Sequence, residues 1–556
     1  LKILSVISSN DRGWVDERNT PLNVSLSVVA GAISIAGALL ASWGLGCLFI
    51  KQARNWTHAI IVGFLALHVA LVATYAVLPL SGWVPRFFVF VMACFGVTKV
   101  GVRRLALSRA VLAVALVVMG LVALALVPVT NYDASFYYHS MIAHLRNDNV
   151  VLGLANLHHR LGNWSGSMSL AALLESGPWG GDGFRLANPL FIAVAMIAVV
   201  PRIGRTIRGC PSAGDLLVVV ATPICLARLL ASPGFYLAAP TPDSGFALAS
   251  ILAIAAIVDA VTGAESASLV DLVVWSVLGA FYRPTGMILV VVSGVLLHHS
   301  VIRAQVGCHR GLLKMAALGV AAHMAITIAL TGFPVFPVTA LPDVFSWSVP
   351  REVRAYQTRL VLTIAREAGQ PGAGDDWSWI GPWLQRNKFF LRDAGVLFAG
   401  GLPLMVLSVG RERARQVATA LFLVTLPVVL WFFTSPDPRF GLGSVFALSA
   451  FPVAIALSSR NGRSSVRRLG VLVAGGVASI AIASGVATLF DRDLSNDLGN
   501  DAHVGTPKQI VLEAEGLTFT RPRADPGCGA ALWCTPEDVS GLRVDNRGPF
   551  TVLSRD

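Results

Sequence analysis

Residues 107–145 read LSRAVLAVALVVMGLVALALVPVTNYDASFYYHSMIAHL. To about residue 128 the run is apolar, and about 20 such residues suffice for a helix to cross a bilayer. Asp133 follows the last apolar residue, Val127 or Val129, within a few positions, so it stands at the membrane surface. ASFYYHSMIAHL then reads as a helix: Phe136, His139 and Ala143, or Tyr137, Met141 and His144, share faces at helical spacing. An amphipathic helix of this kind lies along the interface, and Tyr132, Phe136, Tyr137 and Tyr138 suit the headgroup layer. A carboxylate at this depth is costly without a task or a partner. Two readings of Asp133 stand at this point, a helix N-cap and a functional acid.

The rest of the chain fits a membrane setting. Of 556 residues, 55% are hydrophobic and only 13% charged, and mean hydropathy is +0.68. Soluble chains carry about 25% charged residues, so most of this surface faces lipid. Disorder, a coiled coil and a soluble nucleic-acid binder are excluded for the whole chain. The net charge of +12 reads as topogenic Lys and Arg. The chain begins with Leu1, and the stretch before Pro21 is too polar for a signal peptide; the first apolar run is read as a true span.

Fourteen apolar runs are predicted as spans: 23–50, 58–80, 83–99, 107–128, 186–201, 213–231, 243–262, 268–282, 286–302, 312–331, 393–410, 415–433, 440–458 and 469–490. The loops between them alternate in charge. One set carries nineteen basic residues, among them Arg103, Arg202, Arg205, Arg310, Arg413 and Arg463; the opposite short loops carry Arg86, Arg283 and Arg439. The basic set is expected in the cytoplasm, with both termini outside. The outer face then receives long loops at 129–185 and 333–392 and a polar tail at 491–556, which holds 11 of the 31 acidic residues and has room for a small module of strands and turns. The expected divisions are additional N-terminal helices at 1–106, a core at 107–490 and the extracytoplasmic tail at 491–556.

Candidate site residues gather on that face. NLHHRLGNWS places His158, His159 and Arg160 between Asn156 and Asn163, on the loop that already holds Asp133 and His139. A lone His is usually structural, whereas this set reads as a polar pocket for an anionic or sugar ligand. His158 and His159 are adjacent instead of four apart, which makes a preformed metal site the weaker reading. FYRPTG puts Tyr282 and Arg283 at the outer end of a span, GFPVFPVT opens the second long loop, and TSPDPRFGLG puts Asp437 and Arg439 between prolines at another mouth. Proline there can simply end helices. Arg283 and Arg439 stand on the wrong side for topology, and Arg is the residue for bidentate phosphate contact. A phosphate at this level belongs to a lipid. In the tail, Cys528 and Cys534 lie six apart on the oxidising face and read as a disulfide, against two free thiols or half a metal site.

NYDASFYYHSMIAHL, GLANLHHRLGNWS, YRPTG, GFPVFP and SPDPRFG, taken in order, resemble a bacterial branch of the C-type membrane glycosyltransferase superfold (GT-C). The likeness covers most of the chain after about residue 107; the first three spans lie outside the common core. CGAALWCTP resembles the cysteine-bracketed tail of that branch, with Gly529 where Trp is usual and Trp533 before the second Cys. With the fourteen runs counted above, the chain is expected to be an all-α polytopic membrane protein, and the resemblance implies a GT-C-like core with outer loop helices, in the bacterial inner membrane, its active face outward. It implies inverting sugar transfer from a polyprenyl-phosphate or diphosphate donor to an envelope glycan, lipid or protein. The residues fit that chemistry. Asp133 is the candidate base, and Arg283 and Arg439 are the cations for the departing phosphate. His139, His158, His159, Arg160, Tyr282 and Asp437 shape the donor or acceptor pocket. No cofactor is certain, with a divalent metal left open, and no nucleic-acid partner is expected. The competing readings are a lipid-linked sugar transporter or flippase, an O-antigen-type ligase or polymerase, and an envelope scaffold. A transporter needs polar residues near the midplane; His68, Asp259 and His323 are the few there, none paired within its own span.

Overall fold

The computed structural model describes residues 21–50, 56–100, 109–175, 182–264, 266–367 and 377–459, fragments of 472–479, and strands at 509–514, 517–522, 542–547 and 550–555. At membrane depth the backbone must satisfy its own hydrogen bonds, and the apolar runs do so as helices. In chain order these are α1 (Pro21–Phe49), α2 (Trp56–Tyr75), α3 (Trp83–Val100) and α4 (Arg109–Ala125). After a loop with the short helices α5 (His139–Asn147) and α6 (Gly166–Leu174) come α7 (Ala187–Ile207), α8 (Ala213–Leu230), α9 (Asp243–Val261), α10 (Leu269–Tyr282), α11 (Met287–Leu296), α12 (Ser300–Val306) and α13 (Arg310–Thr331). The second long loop holds α14 (Arg351–Glu367) and α15 (Ile380–Arg386), and α16 (Lys388–Ser408), α17 (Arg411–Thr434) and α18 (Pro438–Ser458) complete the bundle. The protein is an all-α, multi-pass membrane protein.

Every predicted run up to residue 458 coincides with helix; the run at 469–490 lies almost wholly outside the described residues. Among the described residues nine helices are long and apolar enough to cross a membrane, or ten if one bent pair is a single span. That pair is the run at 286–302, where the chain bends by 88° between α11 and α12. The averaged hydropathy of the run hides the polar His298, His299 and Ser300, and His299 is extended. α10 has 14 residues, about 21 Å at 1.5 Å per residue, short of a full hydrocarbon core.

α9 is the axis of the bundle. All of its 19 residues are buried, and α7, α8, α10, α17 and α18 pack around it. Small residues permit the approach, as expected where close packing replaces the hydrophobic effect. A Cβ at Gly443 of α18 would lie 2.0 Å from the Ala247 carbonyl oxygen, and one at Gly63 of α2 would lie 1.5 Å from that of Ser42 in α1.

One end of the bundle is clasped by charge. Arg202 near the end of α7 is buried and reaches three carboxylates: Asp215 at 3.4 Å, Asp259 at 3.5 Å and Asp271 at 3.0 Å. Arg205 binds both oxygens of Asp215, at 2.7 and 2.6 Å, and Asp215 also forms a capping box with Ser212 at the start of α8. The sequence reading took Arg202 and Arg205 as topogenic loop charges and saw no partner for Asp259 within its own span. Together these residues also tie α7, α8, α9 and α10 to one another. Truncating one partner of a buried cluster leaves uncompensated charge at about 3–5 kcal/mol. Arg202→Ala is therefore expected to lower the thermal midpoint of the detergent-purified protein by several degrees; an unchanged midpoint contradicts the clasp.

The tail forms strands, as its composition led one to expect. β1 (Gln509–Ala514) pairs antiparallel with β2 (Leu517–Pro522), and β3 (Leu542–Arg547) with β4 (Phe550–Arg555). β4 also makes a parallel bridge to Leu152 in the first long loop. Cys528 and Cys534 lie outside the described residues.

Candidate functional site

The opposite end of the bundle carries the long loops, and there Asp133 meets Arg439. The chain leaves α4 through Thr130, whose N–H binds the Gly234 carbonyl at 3.1 Å. Asn131 Oδ1 then accepts the Asp133 N–H at 2.8 Å. Asn131 thus serves the helix start, and the Asp133 carboxylate makes no capping bond to the turn Ala134–Tyr138. It is turned to Arg439 instead, with Oδ2 3.2 Å from Nη1. The cap reading is overturned in favour of a partnered carboxylate.

Arg439 stands in the first turn of α18. Asp437 caps that helix by accepting the Arg439 N–H at 3.0 Å, with Pro438 in the first turn, and Asp437 Oδ2 lies 3.4 Å from Arg439 Nε. Two indoles pin the turn: Trp383 donates to the Pro436 carbonyl and Trp431 to that of Asp437, each at 2.7 Å. Burial raises the Asp437 pKa above the ordinary carboxylate value, and Arg439 opposes that rise through its charge and its N–H.

Arg283 ends α10, and Asp243, in the first turn of α9, is its partner. Arg283 Nε donates to Asp243 Oδ1 at 2.9 Å, and Nη2 bonds the same oxygen. The other oxygen of Asp243 accepts from the Thr241 hydroxyl at 2.8 Å. Asp243 is almost fully buried. Sequence reasoning missed it, although TPDSG repeats the Pro-Asp punctuation of SPDPRFG at the head of a span. Both guanidiniums rest against one ring: the Arg283 and Arg439 Cζ atoms lie 3.8 and 4.5 Å from the centroid of Phe440, a favourable cation–π arrangement. Three carboxylates thus share the site with two guanidiniums. Tyr137, Tyr138 and Tyr236 lie near enough to feel these charges. Burial raises each phenol's pKa, and Asp133 adds to the effect on Tyr137 and Tyr138, Asp243 and Asp437 on Tyr236.

The other predicted residues divide. His158 and His159 belong to an aromatic ladder running from the turn beside Asp133 to the second long loop. Tyr132 stacks on Phe136 at 5.3 Å, Phe136 meets His158 at 4.8 Å, His158 meets His159 at 5.2 Å, and His159 meets Tyr356 of α14 at 5.6 Å. Arg160 follows directly; it is half-buried, its Nε has no hydrogen-bond partner among the described residues, and its charge lowers the Tyr137 pKa. His139 stands apart. Its ring packs on Phe184 at 4.6 Å, and burial together with the Arg185 charge pushes its pKa down to about 4, so it is neutral at pH 7. Tyr282 is also apart: it is buried inside the bundle, its hydroxyl 3.3 Å from His68 Nε2 and its ring 4.7 Å from Phe191. His68, expected to have no partner within its own span, has one there, its Nδ1 lying 3.0 Å from the Phe64 carbonyl oxygen, and another across spans in Tyr282. His323 stacks between Trp164 and Phe281. Among the described residues no three His, Cys, Asp or Glu side chains form a group able to hold a metal ion.

A family model described as a domain of unknown function (DUF8201) matches residues 26–446. That span takes in the first three helices and every residue of the Asp133–Asp243–Arg283–Asp437–Arg439 cluster, and ends before the tail. No curated protein and no solved structure matches the chain.

Proposed function

The chain belongs to the DUF8201 family, and from the residues gathered at its candidate site we propose that it is a GT-C-type membrane glycosyltransferase. It moves a sugar from a polyprenyl-phosphate or diphosphate donor to an envelope glycan, lipid or protein. About fourteen spans would seat it in a bacterial inner membrane with the site outward. The observation that carries the reading is the contact of Asp133 with Arg439, 306 positions later. A carboxylate able to take a proton stands beside a guanidinium able to hold phosphate, at the loop end of an apolar bundle.

In the proposed reaction the acceptor hydroxyl oxygen attacks the anomeric carbon from the face opposite the phosphate. The bond from that carbon to the phosphate oxygen breaks, its electron pair leaves with the phosphate, and Asp133 takes the acceptor proton. Configuration inverts. Arg439 hydrogen-bonds Asp133 through Nη1, which leaves other guanidinium N–H groups for the donor phosphate. Arg283, fixed by Asp243 and stacked on the same Phe440 ring, supplies the second cation. His158 and His159 join the two loops through the aromatic ladder, with Arg160 directly after them, and would shape the donor or acceptor pocket. The polar residues within the spans, Asp259 and His68, are engaged by Arg202 and Tyr282 inside the bundle, which favours chemistry at this mouth over transport.

Lipid extracts of a strain lacking the gene are expected to accumulate a polyprenyl-linked sugar by mass spectrometry; extracts identical to those of the parent count against the reading. Orientation is checked separately. In a chain stripped of its own cysteines, Val344→Cys should react with an impermeant thiol reagent on intact cells and Arg413→Cys only after permeabilisation. Both positions are exposed, and the reverse pattern would place the site in the cytoplasm.

A further inference from the structure

We propose that the C-terminal strand is a positioning element of the candidate site: β4 docks on the loop segment that carries His158–Arg160 and holds it in place. The inference rests on the site reading above, but its geometry is independent of the chemistry assigned there. Leu152 donates to the Thr551 carbonyl at 2.9 Å and accepts from the Leu553 N–H at 2.8 Å. The tail thus makes a one-residue parallel bridge to the loop, the smallest form of the backbone pairing by which a peptide augments an exposed edge. Arg555 Nε donates to the Asn156 carbonyl at 2.7 Å. The Asn156 amide nitrogen donates to the Leu553 and Trp347 carbonyls, each at 3.0 Å, so one side chain joins the tail to the second long loop.

The loop is shaped to receive the strand. Gly153 has φ +73°, a conformation that favours glycine, and a Cβ there would lie 2.1 Å from the Leu553 oxygen. Its N–H binds the Ala329 carbonyl of α13 at 2.7 Å, so the junction is anchored to the bundle. Val552 and Leu553 are buried. Two residues after Asn156 the chain reaches His158. The family match ends at residue 446, so the strand lies beyond the matched domain and completes its first loop from outside.

Without the strand, the Leu152 backbone groups and one Asn156 N–H lose their partners, and leaving such groups unmet weakens local structure by about tenfold or more in its opening equilibrium. The test is hydrogen–deuterium exchange on the full chain in nanodiscs, with Arg555→Ala, Arg555→Lys and a chain ending at residue 549. Truncation should speed exchange over 152–160 at least tenfold while α9 stays protected. Arg555→Ala should do so more weakly, and Arg555→Lys, which retains an N–H for the Asn156 carbonyl, should restore part of the protection. A synthetic FTVLSR peptide should restore protection to the truncated chain. Sugar transfer should fall in parallel by about 10–100-fold, since displacements on the order of 1 Å are enough. Unchanged exchange over 152–160 overturns the proposal, and so does a loss of protection that spreads to α9. Local loosening in a chain whose wild-type form transfers no sugar keeps the strap and removes the glycosyltransferase reading.

Discussion

Asp133→Asn is expected to lower sugar transfer by about 10²–10⁴-fold, the usual worth of a positioned general base, while the protein still inserts and folds. The start of the turn Ala134–Tyr138 relies on Asn131, whose side chain takes the Asp133 N–H, and not on the Asp133 carboxylate. The substitution keeps the side-chain shape and removes the charge opposite Arg439. Arg439 retains Asp437 at 3.4 Å, so the stability loss should stay near the 1–3 kcal/mol of a weakened charged hydrogen bond. Asp133→Glu should also be poor, because one more methylene displaces the oxygens from Arg439 and from the acceptor. If Asp133→Asn transfers at the wild-type rate, Asp133 is only a structural counter-ion. The base is then to be sought at Asp437, whose pKa burial already raises, or at His158 and His159.

Arg439→Lys is the second large effect, a loss of about 10²–10³-fold, comparable to removing one transition-state donor elsewhere. Lysine keeps the positive charge between Asp133 and Asp437, so the helix start and the charge balance survive. It lacks the planar fork and the stacked contact with Phe440. Arg439→Ala would strand two carboxylates and mix a folding defect with the catalytic one, which makes Lys the cleaner test. Steady-state transfer in nanodiscs, at matched expression, reads the outcome; activity equal to wild type assigns Arg439 to the helix end alone.

The sequence showed the helices because each is one uninterrupted apolar run, and hydropathy reads such runs directly. It did not register the bend in the run at 286–302, because an average over the run cannot show a break at His298 and His299. Asp133, Arg283, Asp437 and Arg439 stood out as polar residues at span mouths, and all four lie in one cluster. Asp243 did not stand out because it is one carboxylate at the head of an apolar run, and only its contact with Arg283 gives it meaning. Tyr282 and Arg283 are adjacent in sequence, yet one faces the bundle interior and the other the mouth, since α10 ends between them. The clasp at Arg202 and the docking of β4 on Leu152 join residues distant in the chain, and no local pattern announces such pairings.

The most direct measurement is transfer by the purified chain itself. Lipid-linked sugar extracted from the deletion strain is incubated with wild-type protein or with Asp133→Asn in nanodiscs, with the envelope fraction of that strain supplied as the source of acceptor hydroxyls, and the lipids are followed by mass spectrometry. The proposed function predicts that wild type converts the lipid-linked sugar to free polyprenyl phosphate or diphosphate while Asp133→Asn leaves it intact. Lipid-linked sugar that persists with wild type, or disappears equally with Asp133→Asn, would contradict it.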